Sequence, residues 1–280
     1  MFGNPAGTPV VLLHGFPDSP VAWAGVIDHL DTARHRILVP YLRGFGATEV
    51  TSLDLVGGQE AALGHDLLAF ADALSLNRFH LVGHDWGARA AYAASVLAPK
   101  RILSLATLAS PYLMYGGDDL PPEQVNSYWY HWFFQLELGA KMMNENAVAF
   151  CHQLWRAWSP EWKFSEKDFA AAAESWQNPQ FAATVLHYYR MRWGGALSLR
   201  AYADLQAKLD VKPKPRISIP ALYVAGDADN CVLPAASEDQ RSAFSGPYER
   251  VLLKGLGHFP HRENPKAVAK LLTRHLESHA

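Results

Sequence analysis

The stretch Gly83-His84-Asp85-Trp86-Gly87 sets an acid between two glycines in the spacing G-x-D-x-G. Phe79-His80-Leu81-Val82 before it is a short apolar run that reads as a buried strand. The Ala-rich stretch from Ala88 to Leu97 reads as a helix stopped by Pro99. Glycines at these positions clear room for a sharp strand-to-helix turn, which lifts the central side chain to the top of the sheet at the positive end of the helix. That side chain is Asp85, a carboxylate that needs no base to deprotonate it and is a ready nucleophile at neutral pH. A glycine turn with a capping aspartate is the plainer reading of the motif alone. The rest of the chain decides against it.

An ester formed on Asp85 must be hydrolysed, which takes a base to activate water, an acid to orient the base and donors for the oxyanion. Each has a candidate after a predicted strand. His258, in Gly257-His258-Phe259, lies in the loop after the last strand and is the candidate base. Gly226-Asp227-Ala228-Asp229 follows the preceding strand and offers two acids. The backbone N–H groups of Phe16 and Trp86 are the candidate oxyanion donors.

The elements that must position these groups alternate between strand and helix. Predicted strands are Pro9 to Leu13, Arg36 to Val39, Phe79 to Val82, Ile102 to Leu108, Ala221 to Ala225 and Glu249 to Leu253. Predicted helices run from about Val21 to Leu30, Gln59 to Leu74, Ala88 to Leu97 and Asn264 to His275, and Met1 to Thr8 reads as a loop. Continuous apolar strands between helices imply a mostly parallel, doubly wound α/β sheet with its ligand at the carboxyl ends of the strands. From Tyr112 to about Pro215 the pattern turns helical and aromatic, and this stretch holds seven of the nine tryptophans. Residues 1–111 and 216–280 are thus expected to form the α/β core, and 112–215 a helical cap over the site. Its tryptophans are expected to serve the cap's own core and to line an apolar pocket.

Composition narrows the function. The chain has 280 residues, 49% of them hydrophobic, and a net charge of −2 without a basic stripe, so nothing points to nucleic acid or an anionic membrane. No apolar stretch is long enough to span a bilayer. Cys151 and Cys231 form no metal or redox motif and read as free thiols, which makes the cytoplasm the default location. Arg43-Gly44-Phe45-Gly46 lacks the third glycine of a dinucleotide site, so no cofactor and no metal are expected. Oligomeric state is not legible, and a homodimer stays open.

His14-Gly15-Phe16-Pro17-Asp18-Ser19, Gly83-His84-Asp85-Trp86-Gly87 and Gly257-His258-Phe259 stand in the order of the α/β-hydrolase superfamily. The chain resembles its aspartate-nucleophile branch of epoxide hydrolases and dehalogenases over essentially its whole length. The family pattern G-x-x-D selects Asp229 over Asp227 as the acid. His84 and His261, beside catalytic positions, are read as structural or surface residues. Members of the family usually carry two antiparallel strands before the one ending at Leu13, which eight residues cannot supply. The sheet is expected to lack its first edge, or the chain to begin inside the fold.

A carboxylate attacking a carboxylic ester would give a mixed anhydride, whereas attack on saturated carbon gives a stable alkyl ester. The expected substrate is a small molecule with an electrophilic sp³ carbon bearing oxygen or halide. An epoxide oxygen leaves as a tethered alkoxide and needs a proton donor. Tyr130 fits the Y-x-x-x-F-Q pattern of epoxide hydrolase lids, and Tyr189-Arg190 fits their Tyr-Arg. This resemblance implies hydrolysis of epoxides to diols. The competing reading is a dehalogenase. His131-Trp132 and Tyr189 resemble a fluoride pocket, Trp86 occurs in both groups, and Arg89 resembles one of two carboxylate-binding arginines. The other would stand at position 86, which is Trp. A non-catalytic ligand-binding member is the third reading.

Overall fold

A computed structural model of the protein describes residues 1–115 and 119–279. Seven strands form one sheet in the order β1-β3-β2-β4-β5-β6-β7. They are β1 (Phe2–Gly3), β2 (Thr8–Leu13), β3 (His35–Leu38), β4 (Phe79–His84), β5 (Ile102–Leu108), β6 (Ala221–Gly226) and β7 (Tyr248–Leu253). All neighbours run parallel except β1, which is antiparallel to β3. Helices α1 (Ala24–Ile27), α2 (Glu60–Ala73) and α3 (Trp86–Leu97) follow β2, β3 and β4. Between β5 and β6 lie α4 (Pro122–Ser127), α5 (Trp129–Phe133), α6 (Glu137–Glu145), α7 (Ala147–Trp158), α8 (Glu166–Ala173), α9 (Phe181–Arg192) and α10 (Ala203–Leu209). The chain closes with α11 (Pro260–Glu263) and α12 (Pro265–Glu277).

Strand alternation sorts the apolar side chains onto two faces. Val10, Leu12, Val82 and Val224 pack with Trp23, Val268 and Leu272 on one side. Val11, Leu13, Leu81 and Leu105 pack with Leu63, Leu67 and Ala91 on the other. That second cluster continues without a break into the aromatic residues between β5 and β6, including Trp155, Trp158 and Phe181. The helical segment is thereby rooted in the sheet's own core.

Two expectations are corrected. Phe2–Gly3 is not loop but a short antiparallel edge, with Phe2 opposite Ile37 and Gly3 opposite Arg36. Only glycine permits it: Gly3 has φ +78°, and a Cβ there would lie 2.4 Å from the His35 carbonyl oxygen. The sheet therefore keeps one short antiparallel edge strand, not the two usual in the family it resembles. Val21 to Leu30 is not one helix either, but a 3₁₀ turn (Pro20–Trp23) and the single turn α1. Gly25 lies within α1, where a Cβ would sit 3.1 Å from the Pro265 ring.

A close backbone contact lies beneath α3. A Cβ on Gly87 would sit 2.4 Å from the His14 carbonyl oxygen and 2.5 Å from that of Leu13. Gly87→Ala should therefore force β2 and α3 apart and destabilise the protein by about 1–3 kcal/mol or more. Gly194→Ala meets no atom within 4 Å and carries only the strain of φ +79°, so it should cost about 1–2 kcal/mol at most. Urea midpoints at constant m would check the ordering.

Candidate active site

Asp85 sits at the end of β4 with φ 49° and ψ −116°, a strained backbone for a residue with a side chain. Gly83 and Gly87 make the turn affordable in space, since a Cβ on Gly83 would lie 2.4 Å from the Gly87 carbonyl oxygen. One carboxylate oxygen, Oδ1, accepts the Phe16 N–H at 2.8 Å. The Trp86 N–H, at the first position of α3, has no acceptor within its helix and stands beside the same carboxylate in sequence. Asp85 Oδ2 lies 3.7 Å from His258 Nε2.

His258 Nδ1 lies 2.9 Å from Asp229 Oδ2, and Asp229 Oδ1 accepts the N–H groups of Cys231 and Val232 at 2.8 and 3.0 Å. Asp227 is exposed and accepts the Gly255 N–H instead. Burial alone would strip the proton from His258. The carboxylates of Asp229 and Asp85 outweigh it and hold the pKa well above the usual histidine value. Both carboxylates thus favour the imidazolium form of His258 in the free site.

The backbone of His258 is fixed from three sides. Ser159 Oγ accepts its N–H, the Nε2–H of His84 donates to its carbonyl, and Glu263 accepts the N–H groups of Gly257 and Phe259. The Ser159 hydroxyl donates to Glu263 as well. Ser159 and Glu263 escaped the sequence reading because a serine and a glutamate carry no spacing signal. His84 and His261 are both fully buried, which removes the surface reading for either. Burial presses the pKa of His84 to about 4, with the His258 charge adding to it. His14, neutral for the same reason of burial, accepts the Leu42 N–H and anchors the loop that presents Phe16.

Tyr130 on α5 and Tyr189 on α9 line one small cavity with Asp85, Trp86, Arg89 and His131. It measures about 20 Å³, room for about one water-sized group. The two phenol rings meet edge to face at 5.2 Å. Tyr130 Oη pairs with Cys231 Sγ at 3.3 Å, while Tyr189 Oη has no protein partner among the described residues. Burial pushes both phenols well above their usual pKa, helped by Cys231 beside Tyr130 and by the Asp85 charge beside Tyr189, so both keep their protons. The residues following each tyrosine pattern stitch the helices together. The Gln135 amide donates to the Tyr189 carbonyl at 3.2 Å, and Arg190 Nε donates to the Phe134 carbonyl at 2.8 Å.

Three sequence expectations fare differently. Trp132 lies outside the cavity, packed on Trp193 at 4.6 Å with its N–H on the Val125 carbonyl. Arg89 reaches the cavity, but its guanidinium is committed to Glu60 (Nε at 2.8 Å) and to the Pro111 carbonyl. It has no fork left for a substrate carboxylate. His131 lines the cavity, yet its Nδ1 already accepts the Trp193 N–H at 3.1 Å and burial holds it neutral. The cap tryptophans mostly pack on one another, as Trp155 does on Trp162 at 5.1 Å; Trp158 also meets the His258 ring at 5.0 Å. Tyr128, Arg192 and Cys231 stand at the site without having been singled out.

The profile of the alpha/beta hydrolase fold family matches residues 8–265. The chain is 26% identical to Epoxide hydrolase A of Mycobacterium tuberculosis, over 98% of this chain and 92% of that protein. It is 27% identical to Fluoroacetate dehalogenase of a Burkholderia species, over 80% and 72%. The crystal structure of a provisionally named epoxide hydrolase from Klebsiella pneumoniae is similar at a TM-score of 0.91 and 32% identity, covering 98% of this chain and 91% of that one.

The charge on His258 has a pH signature. Its folded pKa lies above the unfolded value of about 6.5, so the stabilisation is complete below that pH and is lost as pH rises through the folded pKa. Asp229→Asn should lower the His258 ring titration, followed by NMR, and shift this loss of stability to lower pH. Asp227→Asn should move neither. An unmoved ring titration in Asp229→Asn would break the link between this geometry and the charge.

Proposed function

We propose that this chain, which belongs to the alpha/beta hydrolase fold family, opens epoxides to vicinal diols through a covalent ester on Asp85. One observation carries the reading: two protonated phenols, Tyr130 and Tyr189, share a cavity with a carboxylate already seated on an oxyanion donor. The cap that brings them is residues 112–215, set between core segments 1–111 and 216–280. The names of the relatives and of the similar structure support the same chemistry.

Asp85 Oδ2 attacks a ring carbon, the C–O bond breaks, and the alkoxide takes a proton through the tyrosines. The Asp85 charge disappears into the ester. His258 then loses one of its two carboxylate partners, and its proton becomes easier to release, balancing the one the alkoxide gained. Neutral His258, oriented by Asp229, removes a proton from water as the water attacks the ester carbonyl. Oδ1 carries the oxyanion between the Phe16 and Trp86 N–H groups. Collapse frees the diol and restores the carboxylate and the imidazolium.

Dehalogenation by the same ester is the second reading, favoured by the likeness to Fluoroacetate dehalogenase. The pairing of Arg89 with Glu60, and Trp at position 86, leave a small haloacid without its two-arginine clamp.

Asp85→Asn should abolish turnover, and a single turnover in oxygen-18 water should leave the first diol unlabelled. Label in that first product would mean direct attack by water. His258→Gln should accumulate an alkyl-enzyme, seen as added mass on the intact protein. Tyr130→Phe and Tyr189→Phe should each slow alkylation by roughly 10²-fold and spare ester hydrolysis. Halide release without diol formation from any epoxide would transfer the assignment to the dehalogenase.

A further inference from the structure

Behind the catalytic cavity lies a second chamber of about 270 Å³. The two share Trp86, Arg89, Met114 and Arg192 as a common wall. Its charged lining is Arg89, Arg192 and Lys214 against Glu60 and Asp210. Most of this charge is internally matched. Glu60 pairs with Arg89 and lies 4.0 Å from Lys214, and Asp210 accepts the Gln206 amide at 3.1 Å.

Arg192 stands apart from these pairings. It has no carboxylate within ion-pair distance among the described residues. Its two terminal nitrogens go to neutral acceptors, the Tyr115 carbonyl and, at 3.7 Å, the Met114 sulfur. Its Nε is buried with no partner among the described residues. The guanidinium lies 5.7 Å from the Tyr128 ring centre and 5.2 Å from that of Trp193, which hold it in place without neutralising it. Arg192 is half-buried, with unused donors and its Nε shut off from water, and its planar fork matches a carboxylate.

Arg192 also stands three residues after Tyr189 on α9, so the two share a helix face. We infer that the site takes an epoxide that carries a carboxylate, with the epoxide between Asp85 and the tyrosines and the carboxylate on Arg192 at the mouth of the chamber. The reacting end of this substrate rests on the epoxide reading above. The anion subsite rests on Arg192 alone.

Hexanoate and hexanamide differ in charge and little else, and neither can react, so calorimetric titration of the wild-type protein with each tests the subsite directly. Hexanoate should bind at least tenfold more tightly than hexanamide. Arg192→Met should erase that difference, and Arg192→Lys should retain part of it. Equal binding of acid and amide to the wild type overturns the inference even if Arg192→Met fails to fold. So does undiminished preference for hexanoate in Arg192→Met. In turnover, an epoxy acid should exceed its own amide in kcat/KM, chiefly through KM, and Arg192→Met should reduce that ratio at least tenfold. Selective hexanoate binding with no diol from either epoxide would leave the subsite standing and sink the epoxide reading; diol from both at equal kcat/KM would do the reverse.

Discussion

The site depends on one buried proton held between two carboxylates. His258 is fully enclosed, and burial favours its neutral form. Asp229 at 2.9 Å and Asp85 at 3.7 Å reverse that preference. Such an arrangement is expensive unless neighbouring lone pairs and donors are satisfied, and here His258 Nε2, facing Asp85 at 3.7 Å, is left without a hydrogen bond among the described residues. That demand explains the surroundings: two backbone N–H groups on Asp229, one on Asp85, and Ser159, Glu263 and His84 around the His258 backbone. Reactivity follows from removing one carboxylate. In the proposed reaction, esterification of Asp85 does this, so formation of the intermediate prepares the base that destroys it.

The sheet supplies the fixed points for this balance. Asp85, Asp229 and His258 each follow a strand, β4, β6 and β7, and the Phe16 donor follows β2. Neighbouring parallel strands end at one edge, so residues 16 to 258 in sequence meet there without long reaches. The left-handed backbone at Asp85 is tolerable because Gly83 and Gly87 let β4, α3 and the end of β2 approach to backbone contact. Strain at one residue is stabilised by packing around it.

The core was legible in the sequence because its signals are local. Apolar runs marked six of the seven strands, and glycine spacing marked the elbow. Phe2–Gly3 was not legible, since two residues have no periodicity and the strand exists through a glycine contact with β3. The cap was harder. Its aromatic residues are numerous enough that spacing alone does not say which face the cavity: Tyr130 and Tyr189 do, while Trp132 turns to Trp193. Charge pairing was invisible for a different reason. Arg89 looks like a substrate arginine until Glu60, 29 residues earlier, is found on its guanidinium. Arg192 has the opposite history, unremarked as a residue and without an ion pair among the described residues.

Charge type is segregated by element across the site. The core side holds the anions, Asp85 and Asp229, with the His258 imidazolium between them. The cap side holds neutral hydroxyls whose protons burial and the Asp85 charge both retain. Beyond them the chamber carries the Arg89–Glu60 pair and Arg192. A lysine or second histidinium in place of the phenols would add another cation beside Asp85 to that of His258 and blunt the carboxylate further. A phenol avoids this because it remains uncharged beside the carboxylate yet donates once an alkoxide, a stronger base than itself, develops. Arg192, without an ion pair among the described residues, stands in the wall that the cavity shares with the chamber, one helical turn along α9 from Tyr189, where its positive charge is placed to meet an anion.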